Sequence, residues 1–265
     1  MKKNYLKYYD TPSSLAPVRF FWDLLFLRRP VARIALKNRS KDYFELTKRP
    51  ELFPLHRHLN QILYEAVSQG DGYDYGEGYF YQSMAAINIT GLRNTEKRIE
   101  AMHLQEFVSQ KNVLEIGCNS GFLSLSIAPW AKSITGFDIM PYLSKIARTV
   151  AAYLNITNAR FLTSAFEDYA EGLTYDVVLS FANHATFDGQ TRQKLEAYFE
   201  KCARYCCEGG MLIFESHPPA FEGTALKKAI SLIEERFLII DQKVLNYGTF
   251  LDTGRTYIVS RKKPT

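Results

Sequence analysis

From about residue 94 onward the chain alternates short apolar runs with longer amphipathic stretches. Runs of strand type fall near 113–117, 134–138, 160–163, 176–181 and 211–215, and stretches of helical period near 122–129, 141–154 and 191–205. Strands alternating with helices build a parallel sheet covered by helices. Ahead of the first strand, Asn94 or Thr95 is placed to cap one helix whose Ile99, Met102 and Val108 face inward. The alternation breaks at the other end. A helix near 223–235 leads to Phe237–Val244, and Arg255–Arg261 follows with too few residues between for a helix. Two strands joined by a short Gly-containing link predict an antiparallel pair.

Residues 1–70 differ in character. They are helical by pattern, rich in Arg, Lys, Leu and aromatics, and punctuated by Pro12, Pro17, Pro30, Pro50 and Pro54. The stretch Phe20–Leu27 falls far short of the roughly 20 apolar residues that a membrane-spanning helix needs. A helix over 18–37 with its basic end would lie on an anionic membrane surface, or pack on the catalytic domain or a partner chain. Pro30 would begin a second helical segment or kink the first. Residues 71–92 form a glycine- and tyrosine-rich connector too polar and broken for a core helix. The expected division is therefore a helical extension with an aromatic lid over 1–92 and a ligand-binding domain over 93–265.

Composition adds limited detail. The 265 residues include 17 Tyr and 18 Phe, enough for a large core and an aromatic pocket. A net charge of +5 suits an acidic or phosphate-bearing partner but is far from the basic stripe of a dedicated nucleic-acid binder. Cys118, Cys202, Cys206 and Cys207 have neither metal-ligand spacing nor a disulfide framework. They read as reduced thiols of a cytoplasmic protein, and no metal is expected. No apolar segment resembling a cleavable leader is evident near residue 1. His56, His58 and His103 fall on expected helices and read as packing or surface residues.

The chemistry concentrates in residues 113–122. Val113, Leu114 and Ile116 form a buried strand, Glu115 stands near its end, and Gly117 and Gly121 bracket a turn into a helix beginning at Phe122. Seventeen residues beyond Gly121, a second strand ends in Asp138, an acid suited to a ribose hydroxyl pair. A dinucleotide fingerprint would read G-x-G-x-x-G, whereas this turn reads G-x-N-x-G, with Asn119 able to take the left-handed conformation.

This pattern resembles the class I S-adenosyl-L-methionine-dependent methyltransferases over roughly residues 93–261, and the closing antiparallel strand agrees. The resemblance implies a Rossmann-like α/β sheet of seven strands, the last antiparallel, with S-adenosyl-L-methionine as cofactor. It implies that Glu115, Gly117, Cys118, Asn119, Gly121 and Phe122 line the methionine end, with Asp138 on the ribose and Ile139 against the adenine. Ser164 stands where the family often has an Asp for the adenine amino group. That leaves the contact to its hydroxyl, to the Ala165 and Phe166 backbones, or to the neighbouring acids Glu167 and Asp168. Arg93, Lys97 and Arg98 could meet the cofactor carboxylate or an acceptor phosphate.

In that fold the loop from Ser180 to Phe187 lies beside the sulfonium. Methyl transfer mostly requires alignment and, for a hydroxyl acceptor, removal of its proton. His184 is the first candidate base and Asn183 an orienter; His217 is the alternative base, and Glu215 could position the acceptor. The Asn-Pro-Pro-aromatic tetrad of nucleobase amino methyltransferases is missing after the fourth strand. Tyr81-Gln82-Ser83, Gly91–Arg98 and Val113–Phe122 further resemble the group containing the tRNA wobble-uridine carboxymethoxy enzymes, many of which act on sugars or small acceptors. The expectation is an O-methyltransferase for a small-molecule or glycan acceptor, including a phosphate-bearing one. The alternatives are a tRNA-modifying enzyme and a non-catalytic cofactor-binding partner subunit.

Overall fold

The computed structural model describes residues 6, 9, 18, 20–22, 29–70, 74–170, 172–184, 193–217, 221–247 and 254–264. Seven strands form one sheet: β1 (Asn112–Ile116), β2 (Ser133–Asp138), β3 (Ala159–Thr163), β4 (Tyr175–Phe181), β5 (Cys206–Glu215), β6 (Phe237–Leu245) and β7 (Arg255–Lys262). Their order is β3-β2-β1-β4-β5-β7-β6. The first five are parallel, and β7 runs antiparallel between β5 and β6, as the link too short for a helix required. The order reverses between β1 and β4, which opens a crevice at the carboxyl ends of those strands.

Helices cover both faces. On one, α3 (Thr95–Ala101), α4 (Leu104–Val108) and α5 (Phe122–Ile127) pack on Val113, Ile134, Val177, Leu179 and Ile213. On the other, α7 (Leu195–Tyr205) and α8 (Gly223–Arg236) pack on Leu114, Ile116, Val178, Leu212 and Phe214. Successive residues of β1, β4 and β5 thus alternate between two buried faces, which is why each strand reads as a continuous apolar run. The helix expected over 94–108 is in fact two. Asn94 caps α3 by accepting from the Lys97 amide at 2.8 Å, but His103 turns left-handed (φ 52°) and α4 starts afresh. The Tyr257 hydroxyl donates to the Met102 carbonyl at 2.8 Å, so the break exposes no unpaired acceptor there.

The first described helices, α1 (Pro30–Leu46) and α2 (Phe53–Gln69), form a further layer packed on α6 (Pro141–Tyr153). Pro30 opens α1, where its fixed φ and missing N–H cost nothing, and Gly70 ends α2 at φ 79°. Between this layer and the connector lies a buried polar network. The Arg39 guanidinium donates to the Asn60 side chain and the Gly78 carbonyl. The Asp42 carboxylate accepts from the Tyr79 hydroxyl and from the Thr90 amide (3.0 Å) and hydroxyl (2.6 Å). Burial pushes the Asp42 carboxyl up to about 6, against the pull of the Thr90 and Tyr79 hydrogen bonds. The connector is polar because its polar groups satisfy this network. Among the described residues no helix is long and apolar enough to cross a membrane.

Replacing Arg39 by Met should therefore cost about 3 kcal/mol, because the Asn60 oxygen, the Gly78 carbonyl and the Asp42 charge all lose a buried partner. Urea unfolding measures this, and a loss below about 1 kcal/mol would show that the network contributes little.

Candidate functional site

The turn after β1 is tight because the chain must pass from a strand to the first turn of α5 within Gly117–Gly121. Gly117 (φ 64°), Asn119 (φ 54°) and Gly121 (φ 70°) all take left-handed conformations. A Cβ at Gly121 would stand 2.7 Å from both Ala147 Cβ and Phe161 Cε1, and one at Gly117 would collide with the Asn183 amide. Glycine is thus required at both positions by conformation and by space.

Two side chains brace the turn from outside it. Asp138, at the end of β2, accepts the Asn119 amide on Oδ2 (2.9 Å) and the Met140 amide on Oδ1 (3.0 Å). Both carboxylate oxygens are thus engaged, and the residue is 7% exposed. Gln82, from the connector, accepts the Phe122 amide at 2.9 Å and the Ser120 hydroxyl at 3.4 Å, and donates to the Cys118 carbonyl at 3.4 Å. It caps α5 from forty residues away. Sequence reasoning had Gln82 only as part of a resemblance, because no local spacing ties it to the turn.

The other expected residues divide by which way they face. Glu115 is buried behind the turn and accepts from the Ser124 hydroxyl of α5. Burial pushes its carboxyl up to about 7, with Ser124 and the Arg98 charge pulling the other way. Cys118 and Phe122 are fully buried, and burial raises the Cys118 thiol well above its ordinary range. Ser180 is turned to the opposite face, where its hydroxyl shares a hydrogen bond of 2.7 Å with that of Tyr198. The Phe166 ring stacks on Phe137 at 6.0 Å and meets Tyr198 edge-on at 5.0 Å, so this ring belongs to the core. Ile139, Ser164 and Ala165 are half-buried beside Asp138, and the Ser164 amide donates to the Asp138 carbonyl at 3.0 Å.

After β4, the Asn183 amide donates to the Ile116 carbonyl and lies over Gly117. Nε2 of His184 is 3.0 Å from the Gln193 carbonyl, which can only accept, so Nε2 carries the hydrogen. Nδ1 then holds the lone pair, and it is buried without a hydrogen-bond partner. Burial lowers the His184 pKa below its ordinary 6.5, so the ring is neutral at pH 7. Residues 185–187 of this loop, and Pro218 and Pro219 after His217, lie outside the described residues. His217 is half-buried at the end of the neighbouring strand. Arg93 is held not at the turn but at Glu215, together with Arg98 and Arg255. Among the described residues no cluster of His, Cys, Asp or Glu could hold a metal.

A reversal of strand order, a left-handed glycine turn and an acid at the end of β2 define a Rossmann-like nucleoside-binding fold. The comparisons with known proteins agree with that fold. Residues 113–210 match the family described as a methyltransferase domain. The fold is shared with the N-methyltransferase NodS of Bradyrhizobium japonicum, solved with S-adenosyl-L-homocysteine. TM-score is 0.54 and identity 16%, over 65% of this chain and 89% of that one. It is shared also with an S-adenosylmethionine-dependent methyltransferase of Methanosarcina mazei, at TM-score 0.52 and 17% identity, over 62% of this chain and 98% of that one. A Methanocaldococcus jannaschii protein, provisionally named a protein N5-glutamine methyltransferase, is 32% identical over 123 residues. The match covers 40% of this chain and 61% of the relative, so the chain spans about three-fifths of that relative's length. Residues 113–210 thus match a methyltransferase-domain family, and the chain shares the Rossmann-like fold of S-adenosylmethionine-dependent methyltransferases.

Gln82→Ala should leave the Phe122 amide unpaired, destabilise the fold by about 1–2 kcal/mol and weaken S-adenosylhomocysteine binding, as calorimetry can measure. Unchanged affinity in a destabilised variant would mean that the turn holds its shape without this brace.

Proposed function

We propose that this chain transfers a methyl group to an oxygen of a small-molecule or glycan-type acceptor. The observation that carries the reading is His184: a neutral imidazole after β4 whose Nδ1 lone pair is buried and unengaged, next to Asn183 over the glycine turn. S-adenosyl-L-methionine, when bound, supplies a methyl carbon already activated by its cationic sulfur. The residues present fit such a group: left-handed Gly117, Asn119 and Gly121 turn the chain sharply after β1, and Asp138 stands at the adjacent strand end.

In this reading Asp138 takes the ribose hydroxyls, Ile139 lies against the adenine, and Ser164 and Ala165 present backbone to its edge. Glu115 works from behind, holding α5 through Ser124. Cys118, Phe122, Phe166 and Ser180 shape the cradle through the core. Asn183 orients the acceptor, and His184 takes the proton of its hydroxyl. Residues 74–92 wall the acceptor site, with Tyr79 tied to Asp42 and Phe80 packed on Phe122 at 5.9 Å. His217 stands where it would serve as the base if His184 does not.

Calorimetry should show binding of S-adenosylmethionine and S-adenosylhomocysteine, weakened at least about tenfold in Asp138→Ala. No binding of either would overturn the cofactor assignment. His184→Ala should lower kcat by roughly 10²–10⁴-fold with cofactor affinity little changed, and wild-type kcat should rise with pH through an inflection below 6.5. A large loss in His217→Ala alone would transfer the role. Mass-spectrometric location of the methyl on a protein glutamine, the acceptor in the archaeal relative's name, would overturn the oxygen acceptor and leave methyl transfer standing.

A further inference from the structure

The helical layer has two unlike sides. In α1, Leu36, Arg39, Tyr43 and Leu46 face inward and are buried. Arg33, Lys37 and Lys41 recur at every fourth residue on the other side, all exposed, and Phe44 continues their row at 41% exposed. These three cations have no ion-pair partner among the described residues. Of the two acids of α1, Asp42 is buried in its network and Glu45 is engaged with Lys48 at 3.0 Å. Arg29, one turn before Arg33, is held by Glu77 at 2.6 Å and stands apart from the row.

An exposed apolar surface lies next to these charges. Val18 and Phe20–Trp22 take helical conformation, and Phe20 is buried against Tyr43 at 5.7 Å. The Tyr43 ring in turn meets Phe44 edge-on at 6.1 Å. With Phe20 facing inward, Val18, Phe21 and Trp22 share the opposite side of their helical turn, and each is more than half exposed. A lone exposed apolar residue is ordinary, but several together beside a row of cations form a surface with a definite chemistry. The charge is concentrated here too. Residues 18–41 contain seven basic residues and one acid, Asp23, whereas the whole chain carries a net charge of +5. The rest of the chain is therefore close to neutral.

We propose that this outer face seats the protein on an anionic lipid bilayer, with Arg33, Lys37 and Lys41 at the headgroups and Phe21, Trp22 and Phe44 in the interface. A bilayer answers both features at once: anionic headgroups attract the cations, and the boundary beneath them takes up aromatic and aliphatic side chains. A nucleic acid answers the cations and stacks on rings, but it has no apolar layer for Val18. The contact is peripheral, and it does not depend on the methyl-transfer reading.

The test is co-sedimentation of the full-length protein with vesicles of phosphatidylcholine containing about one-third phosphatidylserine, beside vesicles of phosphatidylcholine alone. Binding to the anionic vesicles only, weakening as salt rises, is expected. Lys37→Glu combined with Lys41→Glu reverses two exposed charges without touching the core. It should lower vesicle binding roughly tenfold or more while Tm stays unchanged. Tryptophan emission should shift to the blue on the anionic vesicles, and Trp22→Phe should remove the shift while binding persists. Equal binding to the two vesicle types, binding to neither, or a folded charge-reversal variant with wild-type affinity would overturn the proposal. So would sedimentation without the blue shift, since the aromatic side would then remain in water. Tight binding of transfer RNA that the charge-reversal variant loses, with no binding to vesicles, would assign the face to a nucleic acid and overturn the lipid seat.

Discussion

The site depends on one geometric constraint: β1 must end, reverse and become a helix within five residues, between two strands that already hold fixed places in a parallel sheet. Only left-handed backbone turns so sharply, and three of the five residues adopt it. The turn leaves amides that the sheet cannot pair, and their disposal organises the surroundings. Asp138 takes one amide and Gln82 another, while the Cys118 amide extends the ladder to Phe137 at 2.9 Å. A cradle that binds a nucleoside is, in physical terms, a turn whose polar groups are held from the sides and left open in front.

The brace from Gln82 explains why the helical layer belongs to the same structure as the sheet. Residues 79–93 run from the Arg39–Asp42 network to the glycine turn, pairing with themselves through Ser83 and Arg93 on the way (2.9 Å). Tyr79 is anchored in that network and Gln82, three residues on, at the glycine turn. A change in α1 would therefore reach the turn through few intermediates.

Three buried carboxylates show how neighbours rather than burial set the charge. Desolvation is the largest influence on Asp42, Glu115 and Glu215 alike, and all three would rise if it acted alone. Asp42 and Glu115 meet mostly hydroxyls and amides, which offset it only in part, and they settle at about 6 and about 7. Glu215 meets three guanidiniums and falls to about 2. The chain thus places, on one face of its sheet, one acid poised near neutrality and another that never gives up its charge.

Much of the architecture was legible in the residues alone. The apolar runs of β1, β4 and β5 are continuous because both sheet faces are covered. The short link between β6 and β7 allowed only an antiparallel return. Gly117, Asn119 and Gly121 announced a turn because few other residues tolerate its backbone. These are local rules, decided within a few neighbours. The break at His103 has a distant partner: the Tyr257 hydroxyl donates to the Met102 carbonyl from across the fold. The same holds for Gln82 on α5, for Ser124 on Glu115 and for the gathering of Arg93, Arg98 and Arg255 on Glu215. A sequence lists charges and donors, but which of them are buried together is set by packing between elements far apart in the chain. Tertiary structure alone therefore decided whether Glu115 faces the cradle or supports it, and which arginines gather on Glu215.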